Sequence, residues 1–411
     1  MAVSFTLSPA QQQLTKAARQ FAEEHLGPLA DAVRAEPDPL RRSLLARPVF
    51  EKAVAAGFLK GLIPAPFGGA AGDGVDAAIL VEEWAAKSPD FVISMAGPLI
   101  ALAPVYEVGT PEQIERFVAP FLADSGAPVA AMAFSEPDGS ANFDAPPPAG
   151  GTLTVAVPDG DHFVVDGRKQ WASHLPGWDG DGPDLMTIVC RTPGGISLLV
   201  AEREHLAGHV EVEEYLDLPG LAGCMTARVR LHGVRVPRAN LLGQEGQGAA
   251  LTRNAFVASG ASIGAFATAA MREAFAVAHR FATTQTRGGA VPIIEYQAVA
   301  DLLADAKGRI EAVRLLSWRA LDAALSGDPA GPELALHAKV FGSETAVSVI
   351  NDLVQVVGVT AYDTAFPLLR RLHEALAYPV IEGSNVGVRR RQLQAMLAAP
   401  GYDPLAASGL T

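Results

Sequence analysis

The sequence predicts an α+β chain in which an all-helical, a β-rich and a second all-helical region follow one another. Three observations point to it. The first roughly 125 residues hold stretches of helical length, one of them opened by a capping box. Between about Ala130 and Leu242, apolar and polar residues alternate around glycine turns. From Gly246 onward, apolar residues step by three and four. No βαβ unit interrupts this order.

Each element follows from local chemistry. In "SPAQ", Ser8 and Gln11 form a capping box with Pro9 at the first helical position, opening a helix to about His25. Further helices are expected over Leu40–Ala56, Val75–Ala86 and Pro111–Ala123, with the breaker-rich "PAPFGGAAGDG" (64–74) as a loop. In the middle region Leu153, Val155 and Val157 alternate with Thr and Ala, and Asp159-Gly160 and Asp166-Gly167 read as turns. "LMTIVC" (185–190) and "ISLLVA" (196–201) have strand length. Val229, Leu231, Val234 and Val236 alternate with arginines, as in a half-buried strand. Such strands suggest an antiparallel barrel or sandwich. Val299, Leu302, Ala306, Ile310 and Val313 make a helical stripe, "SGDPAG" (326–331) breaks it, and another helix begins near Pro332. Four or five such helices joined by short loops suggest a bundle. No internal repeat or low-complexity tail is present.

Composition narrows the function. The chain has 411 residues, 49% hydrophobic and 19% charged, enough for two or three cores. A net charge of −13 argues against nucleic acid or an anionic membrane as partner. Cys190 and Cys224 have no metal-ligand spacing, which fits a reducing compartment. "MAVSFTLSPAQQQ" lacks a basic region followed by an apolar core, and no run of about 18 uncharged apolar residues appears. A cytoplasmic protein that does not span a membrane is expected.

Most motif-like stretches have plain explanations. "GQEGQG" (243–248) lacks the strand–helix context of a dinucleotide fingerprint and reads as a loop before a helix. "HLAGH" (His205, His209) sits in a Gly/Ala loop with no third ligand near, so no metal is expected. No G-x-S-x-G supports a serine nucleophile. Two stretches are more informative. "FSEPDGSANF" (134–143) crowds hydroxyls and free backbone N–H groups into a turn, suited to a polar ring edge or a pyrophosphate, or equally to solvent. "GRKQWASH" (167–174) ends a strand with Trp171 and Ser173, and a tryptophan is usually core. Near the C-terminal end, "YPVIEGSNVGVRRRQ" (378–392) sets Glu382 beside Val380 and Ile381, seven residues before Arg389. It reads either as a helix N-terminus with an acid in its first turn or as a base at the mouth of an apolar pocket.

Together these pieces resemble the acyl-CoA dehydrogenase superfamily over almost the whole chain. The resemblance implies an N-terminal all-α domain (1–128), a central antiparallel β-barrel domain (129–244) and a C-terminal four-helix bundle (245–411), with FAD between barrel and bundle. The family's T-E-P-x-x-G-S-D flavin loop looks like 135–140, one residue shorter, which would bring Phe134, Ser135, Gly139 and Ser140 to the cofactor. Its W-x-[TS] strand end looks like Trp171 to Ser173, the hydroxyl lying near flavin N5. Arg287 and Gln297 look like an element that reaches FAD across a subunit interface, without its phenylalanine. Gln355, Gly358 and Tyr362 look like a glycine-rich element that has lost two glycines, and Glu382-Gly383-Ser384 like the E-G-T catalytic loop. A homotetramer is implied.

Within the superfamily, "SEPDGSANF", "KQWASHLPGWDGDGPDLM", "TRGGAVPIIEYQAVAD" and "GSNVGVRRRQLQ" look like nitroalkane oxidases. These convert a nitroalkane and O₂ to an aldehyde or ketone, nitrite and hydrogen peroxide. By position Glu382 would be the base, Arg389 its partner, and Ser259 and Tyr378 supporting hydroxyls. The oxidases carry aspartate at the base, whereas Glu382 follows the dehydrogenases. A shift near ~1 Å can change a rate about a hundredfold. The alternative is therefore an acyl-CoA or acyl-carrier-protein dehydrogenase. The two aspartates of "GWDGDG" (177–182) would mildly disfavour anionic CoA.

Overall fold

The computed structural model describes residues 6–408. Part of the N-terminal stretch read above for a leader, residues 1–5, lies outside them. The first helix, α1 (Pro9–Phe21), begins as expected: Ser8 Oγ accepts from Gln11 N at 3.2 Å and Gln11 Oε1 accepts from Ser8 N at 3.0 Å. It does not stop near His25. One wide turn of π type (Ala22–Leu26) leads straight into α2 (Gly27–Ala35). Pro28 has no N–H and crowds the carbonyl four residues back, and the wide turn accommodates both. The helices α3 (Pro39–Leu44), α4 (Arg47–Ala55), α5 (Gly74–Ala85), α6 (Pro89–Val108) and α7 (Pro111–Val118) complete this region. No expectation covered α6. It is buried on most sides and contains Pro98 and Pro104, so it has no polar face to set a period.

The middle region is one seven-stranded sheet in the order β1-β4-β2-β3-β7-β6, with β5 beside β4. The strands are β1 (Ala130–Ala133), β2 (Val155–Asp159), β3 (His162–Ser173), β4 (Leu185–Thr192), β5 (Gly195–Glu202), β6 (Val210–Tyr215) and β7 (Thr226–Pro237). A short helix, α8 (Arg203–Leu206), separates β5 from β6. The purely antiparallel barrel is corrected to a mixed, open, curled sheet. β1 runs parallel to β4, and β2 meets β4 in parallel at Val155–Arg191. A second correction concerns Asp166-Gly167. It is no turn but lies inside β3 opposite a bulge in β7: Val165 pairs with Val234 and Gly167 with Leu231, so β7 carries the extra residue. There Asp166 Oδ1 accepts from Gly233 N at 2.9 Å, and Gly233 adopts φ +58°. The bulge explains why the apolar positions of β7 jump from Leu231 to Val234.

In the C-terminal region α9 (Gly248–Thr284), α10 (Gln297–Ser326) and α11 (Gly331–Val357) pack on one another, and α12 (Pro367–Ala377) lies against α9 and α11. A wide turn (Asn385–Arg389) starts α13 (Arg390–Leu397). α9 and α11 touch backbone to backbone: a Cβ on Gly342 would lie 3.1 Å from Gly264 Cα. The expectation that no segment is apolar over membrane length also needs correction. Once isolated charges are admitted, α6, α9 and α11 with its short extension to Tyr362 are long and apolar enough to cross a membrane by length and composition. Much of each is buried inside the fold instead, α9 between α10 and α11.

Candidate active site

The segment between α12 and the wide turn carries Glu382. Its backbone adopts φ +51°, a left-handed conformation that costs a glutamate energy. Gly383 follows at φ +78°. The side chain places Oε2 out of solvent contact and without a hydrogen-bond partner. A buried, unpartnered carboxylate oxygen is rare and marks a place where something else binds or reacts. Ser384 caps the wide turn, its Oγ accepting from Gly387 N at 3.2 Å.

Arg389 is buried and turns back over this segment. Its Nε donates to the main-chain oxygen of Glu382 at 2.9 Å, Nη2 donates to the same oxygen, and Nη1 reaches Gln392 Oε1 at 2.8 Å. The guanidinium thus grips the backbone of Glu382. Burial lowers its pKa, while the nearby Glu382 charge opposes that shift. On the other side the guanidinium lies 5.6 Å from the Phe256 ring centroid. Phe256 and Ser259 stand three apart on α9 and so share a face. Ser259 Oγ is, like Glu382 Oε2, buried and unpartnered.

Below the segment lies Lys339 of α11, fully buried, which sequence reading missed. Its Nζ donates to Tyr378 O at 2.5 Å and Asn385 Oδ1 at 3.0 Å. Burial pushes its pKa down to about 7, with Arg389 adding to the effect and Glu382 and Glu344 opposing it. A lysine among the apolar positions Ala335, Ala338, Gly342 and Ala346 was the available signal, since lysine is almost never fully buried without a partner.

Tyr378 is itself buried, and its ring points into a second polar group. Burial raises its pKa well above normal, with Glu374, Asp90 and Cys224 adding to the rise and Arg371 opposing it. Asp90, at the start of α6, has a buried, unpartnered Oδ1. Its pKa is raised to about 7 by burial first and then by Glu374. Cys224 Sγ lies 3.7 Å from Asp90 O, and the Ser173 hydroxyl bonds the thiol. This group therefore links the end of β3 to the loop before Glu382.

The flavin-loop candidates meet the same strand end. Phe134 packs edge-on to Phe143 at 4.9 Å and lies 5.3 Å from Phe256, the ring that Arg389 also approaches. Ser135 O accepts from Gln170 N at 2.9 Å. Glu136 folds inward, 2.9 Å from Lys169, and accepts from Leu153 N, Thr154 N and the Thr154 hydroxyl. Ser140 Oγ accepts from Glu136 N at 3.1 Å, and Gly139 takes φ +93°. Trp171 is not core: at φ +74° it is 53% exposed beside Ser173. An exposed indole at the strand end and a φ-positive glycine in the adjoining loop fit a planar aromatic cofactor. Arg391 Nη1 ties α13 to this loop through Asn142 Oδ1 at 2.7 Å.

Arg287 and Gly358 come together elsewhere. Arg287 donates to Val357 O at 2.7 Å and to Thr360 Oγ1 at 3.1 Å, and Gly358 ends α11 at φ +73°. Gln297 and Gln355 are exposed. Of the remaining motifs, "GQEGQG" is a loop leading into α9. His205 is engaged in the cap of α8, and His209 Nδ1 lies 2.7 Å from His232 O. Glu202, Glu204 and His205 are the one grouping among the described residues with metal-ligand proximity, and two of them form that cap. In "GWDGDG", Asp179 is paired with Arg203, which halves the unpaired charge expected of that loop.

Residues 8–125 match the acyl-CoA dehydrogenase N-terminal domain, and residues 246–397 match the acyl-CoA dehydrogenase C-terminal domain. Fold and site together define a flavin-dependent oxidoreductase of the acyl-CoA dehydrogenase superfamily that binds FAD. The chain is 38% identical to a nitroalkane oxidase of Podospora anserina, covering 98% of both chains. It is 35% identical to one of Fusarium oxysporum over 99% of this chain and 97% of the relative. The solved Podospora anserina nitroalkane oxidase superposes with a TM-score of 0.95 at 37% identity, over 99% of this chain and 100% of the other. The human short-chain acyl-CoA dehydrogenase is 28% identical over 93% of this chain and 89% of its own. The chain belongs to the nitroalkane oxidase family.

Proposed function

We propose that the protein is an FAD-dependent oxidase that removes an α-proton from a small nitroalkane. With O₂ and water, a primary nitroalkane then gives an aldehyde, nitrite and hydrogen peroxide. The observation that carries this reading is the sealed Oε2 of Glu382, which has no hydrogen-bond partner. Glu382 takes the proton from carbon, leaving a nitronate. Arg389 fixes the Glu382 backbone, and its buried charge favours the nitronate oxygens. Ser259 orients the carboxylate, and Tyr378 walls the pocket. Bound FAD supplies the two-electron acceptor and the route to O₂. Phe134, Ser135, Gly139, Ser140, Trp171, Ser173 and Ser384 hold the cofactor. Arg287, Gln297, Gln355 and Gly358 serve it from a neighbouring protomer in a homotetramer.

Relatives support the assignment. Nitroalkane oxidase active-site mutants have been crystallised with 1-nitrooctane and with 1-nitrohexane, and another structure holds spermine as a competitive inhibitor. A further study concerns an aspartate and an arginine seven positions apart, the spacing of Glu382 and Arg389. The same proposal includes three units at 1–128, 129–244 and 245–411, α12 as the fourth member of a helical bundle, and a reducing, cytoplasmic setting for the free thiols Cys190 and Cys224.

Anaerobic nitroethane should bleach the yellow protein, and air should restore the colour with release of nitrite. Glu382→Gln should slow bleaching by roughly 10²–10⁴-fold, the usual weight of a general base. A glutamate at 382 keeps one rival in view, an acyl thioester dehydrogenase. Bleaching by an acyl-CoA with slow reoxidation in air, and none by nitroethane, would establish that instead.

A further inference from the structure

Glu382 occupies a backbone conformation that its own residue type disfavours, so something must hold it there. The segment 378–384 has no regular structure of its own, and its first residue and Asn385 just after it are tied to α11. Lys339 Nζ reaches Tyr378 O at 2.5 Å on one side and Asn385 Oδ1 at 3.0 Å on the other. Asn385 Nδ2 donates to Ser343 Oγ at 3.0 Å, and that hydroxyl donates to Lys339 O at 2.6 Å. The ring therefore closes: Lys339 ammonium, Asn385 amide, Ser343 hydroxyl, Lys339 carbonyl. Asn385 N also donates to Pro379 O at 2.9 Å, which draws the two ends together.

We propose that Lys339 is a positioning residue for proton abstraction, anchoring the chain on both sides of Glu382, through the Tyr378 carbonyl and the Asn385 side chain, so that its carboxylate faces the substrate carbon. The inference rests on the reading of Glu382 as the base. It assigns the buried lysine to the reaction rather than to the core, on three grounds. Both acceptors lie at the ends of the segment that carries the base. Arg389 grips the Glu382 carbonyl itself, so the segment is tied before, at and after the base. Lastly, a compact ammonium on a flexible stem can serve two acceptors that a planar guanidinium could not reach together.

Removing the ammonium leaves two buried acceptors unsatisfied and frees the segment to relax. A displacement of about 1 Å at the base is enough for a roughly hundredfold loss. A preformed nitronate has already lost its proton and does not need the base. FAD-loaded Lys339→Met should therefore bleach about 10–100-fold more slowly with neutral nitroethane and within about threefold of wild type with ethyl nitronate, measured anaerobically by stopped flow. Lys339→Arg should fall between the two.

The inference is overturned if Lys339→Met matches wild type on both substrates. It is equally overturned if both rates fall together or if the variant simply loses FAD, since each is the signature of a purely structural lysine. If the methionine variant yields no holoenzyme, Lys339→Gln, which keeps a donor on a shorter stem, is judged by the same ratio of rates. Glu382→Gln serves as the reference. Should it keep its rate with neutral nitroethane, the underlying reading fails, independently of Lys339.

Discussion

Two successive left-handed residues, Glu382 and Gly383, turn the chain where the base sits. A Cβ on Gly383 would lie 2.8 Å from Arg389 Nε, so the glycine is required both by its φ and by the guanidinium packed on it. Asp90 shows a different cost. Its Oδ1 is buried and unpartnered and it titrates near 7, so the folded protein holds its proton where the unfolded chain has released it. The folded state binds more protons between about pH 4 and 7, and stability contributed by the neutral carboxyl is lost as pH rises through that range. The total is on the order of 4 kcal/mol. His174 works in the opposite sense. Burial lowers its pKa to about 3, both ring nitrogens lack partners, and the neutral ring destabilises the fold progressively below about 6.5. Because the two effects offset each other, the wild-type pH profile hides both. Asp90→Asn exposes one of them. Relative to wild type, the variant should gain stability steadily from pH 4 to pH 7 and then level off, as read from urea midpoints. Parallel profiles would show that Asp90 is ionised in the folded protein.

At the scale of elements, what was legible in the sequence divides by physical cause. The capping box at Ser8, the strand β7 and the stripe of α10 were legible because each has a polar side or cap that sets a period, and β4 and β5 because each is a short apolar run of strand length. α6 was not, because a helix buried nearly all round has no such period. Asp166-Gly167 was read as a turn, since a local Asp-Gly signal cannot report that it runs on through β3 opposite a bulge in β7. In the site, the segment around Glu382 was legible from residue types in order, whereas Lys339 lies on a distant helix and meets it only in the fold. Glycines that set helix spacing were equally silent. A Cβ on Gly264 would lie 2.8 Å from Ser317 Cβ of α10, and one on Gly342 would lie 3.1 Å from Gly264. Gly342→Leu should therefore push α11 off α9, lowering stability by about 1–3 kcal/mol. Because α11 also carries Lys339, the same variant should lose nitroethane turnover beyond what thermal melting accounts for. Unchanged melting would mean that the two helices have room to spare.

For the whole molecule, the question is how the N-terminal helices stay registered on the C-terminal ones, since the site draws on both. One residue concentrates that task. Glu82 of α5 is 1% exposed and sits 2.9 Å from both Arg272 of α9 and Arg314 of α10, with Trp318 Nε1 donating to it at 2.7 Å. Each partner lies about 190 or more residues away in sequence, so no local pattern announces the link. Removing one member of a buried charge group leaves the others unpaired and costs roughly 3–5 kcal/mol. The two arginines are about a third exposed and can turn to solvent, which places the expected loss for Glu82→Ala near the lower bound, about 3 kcal/mol. Replacing the acid and both arginines together by apolar residues of similar volume should restore much of that loss, because desolvation and attraction nearly cancel in such groups. The measurement is denaturant unfolding of wild type, Glu82→Ala and the triple variant. If the single variant is the only one destabilised, Glu82 neutralises charges that the fold has already buried. If the triple variant is destabilised as much, the charges themselves hold α5 against the bundle. Asp90 begins the helix that follows α5, so loosening there should also shift the Asp90 titration, tying the stability of the interface to the electrostatics beside the base.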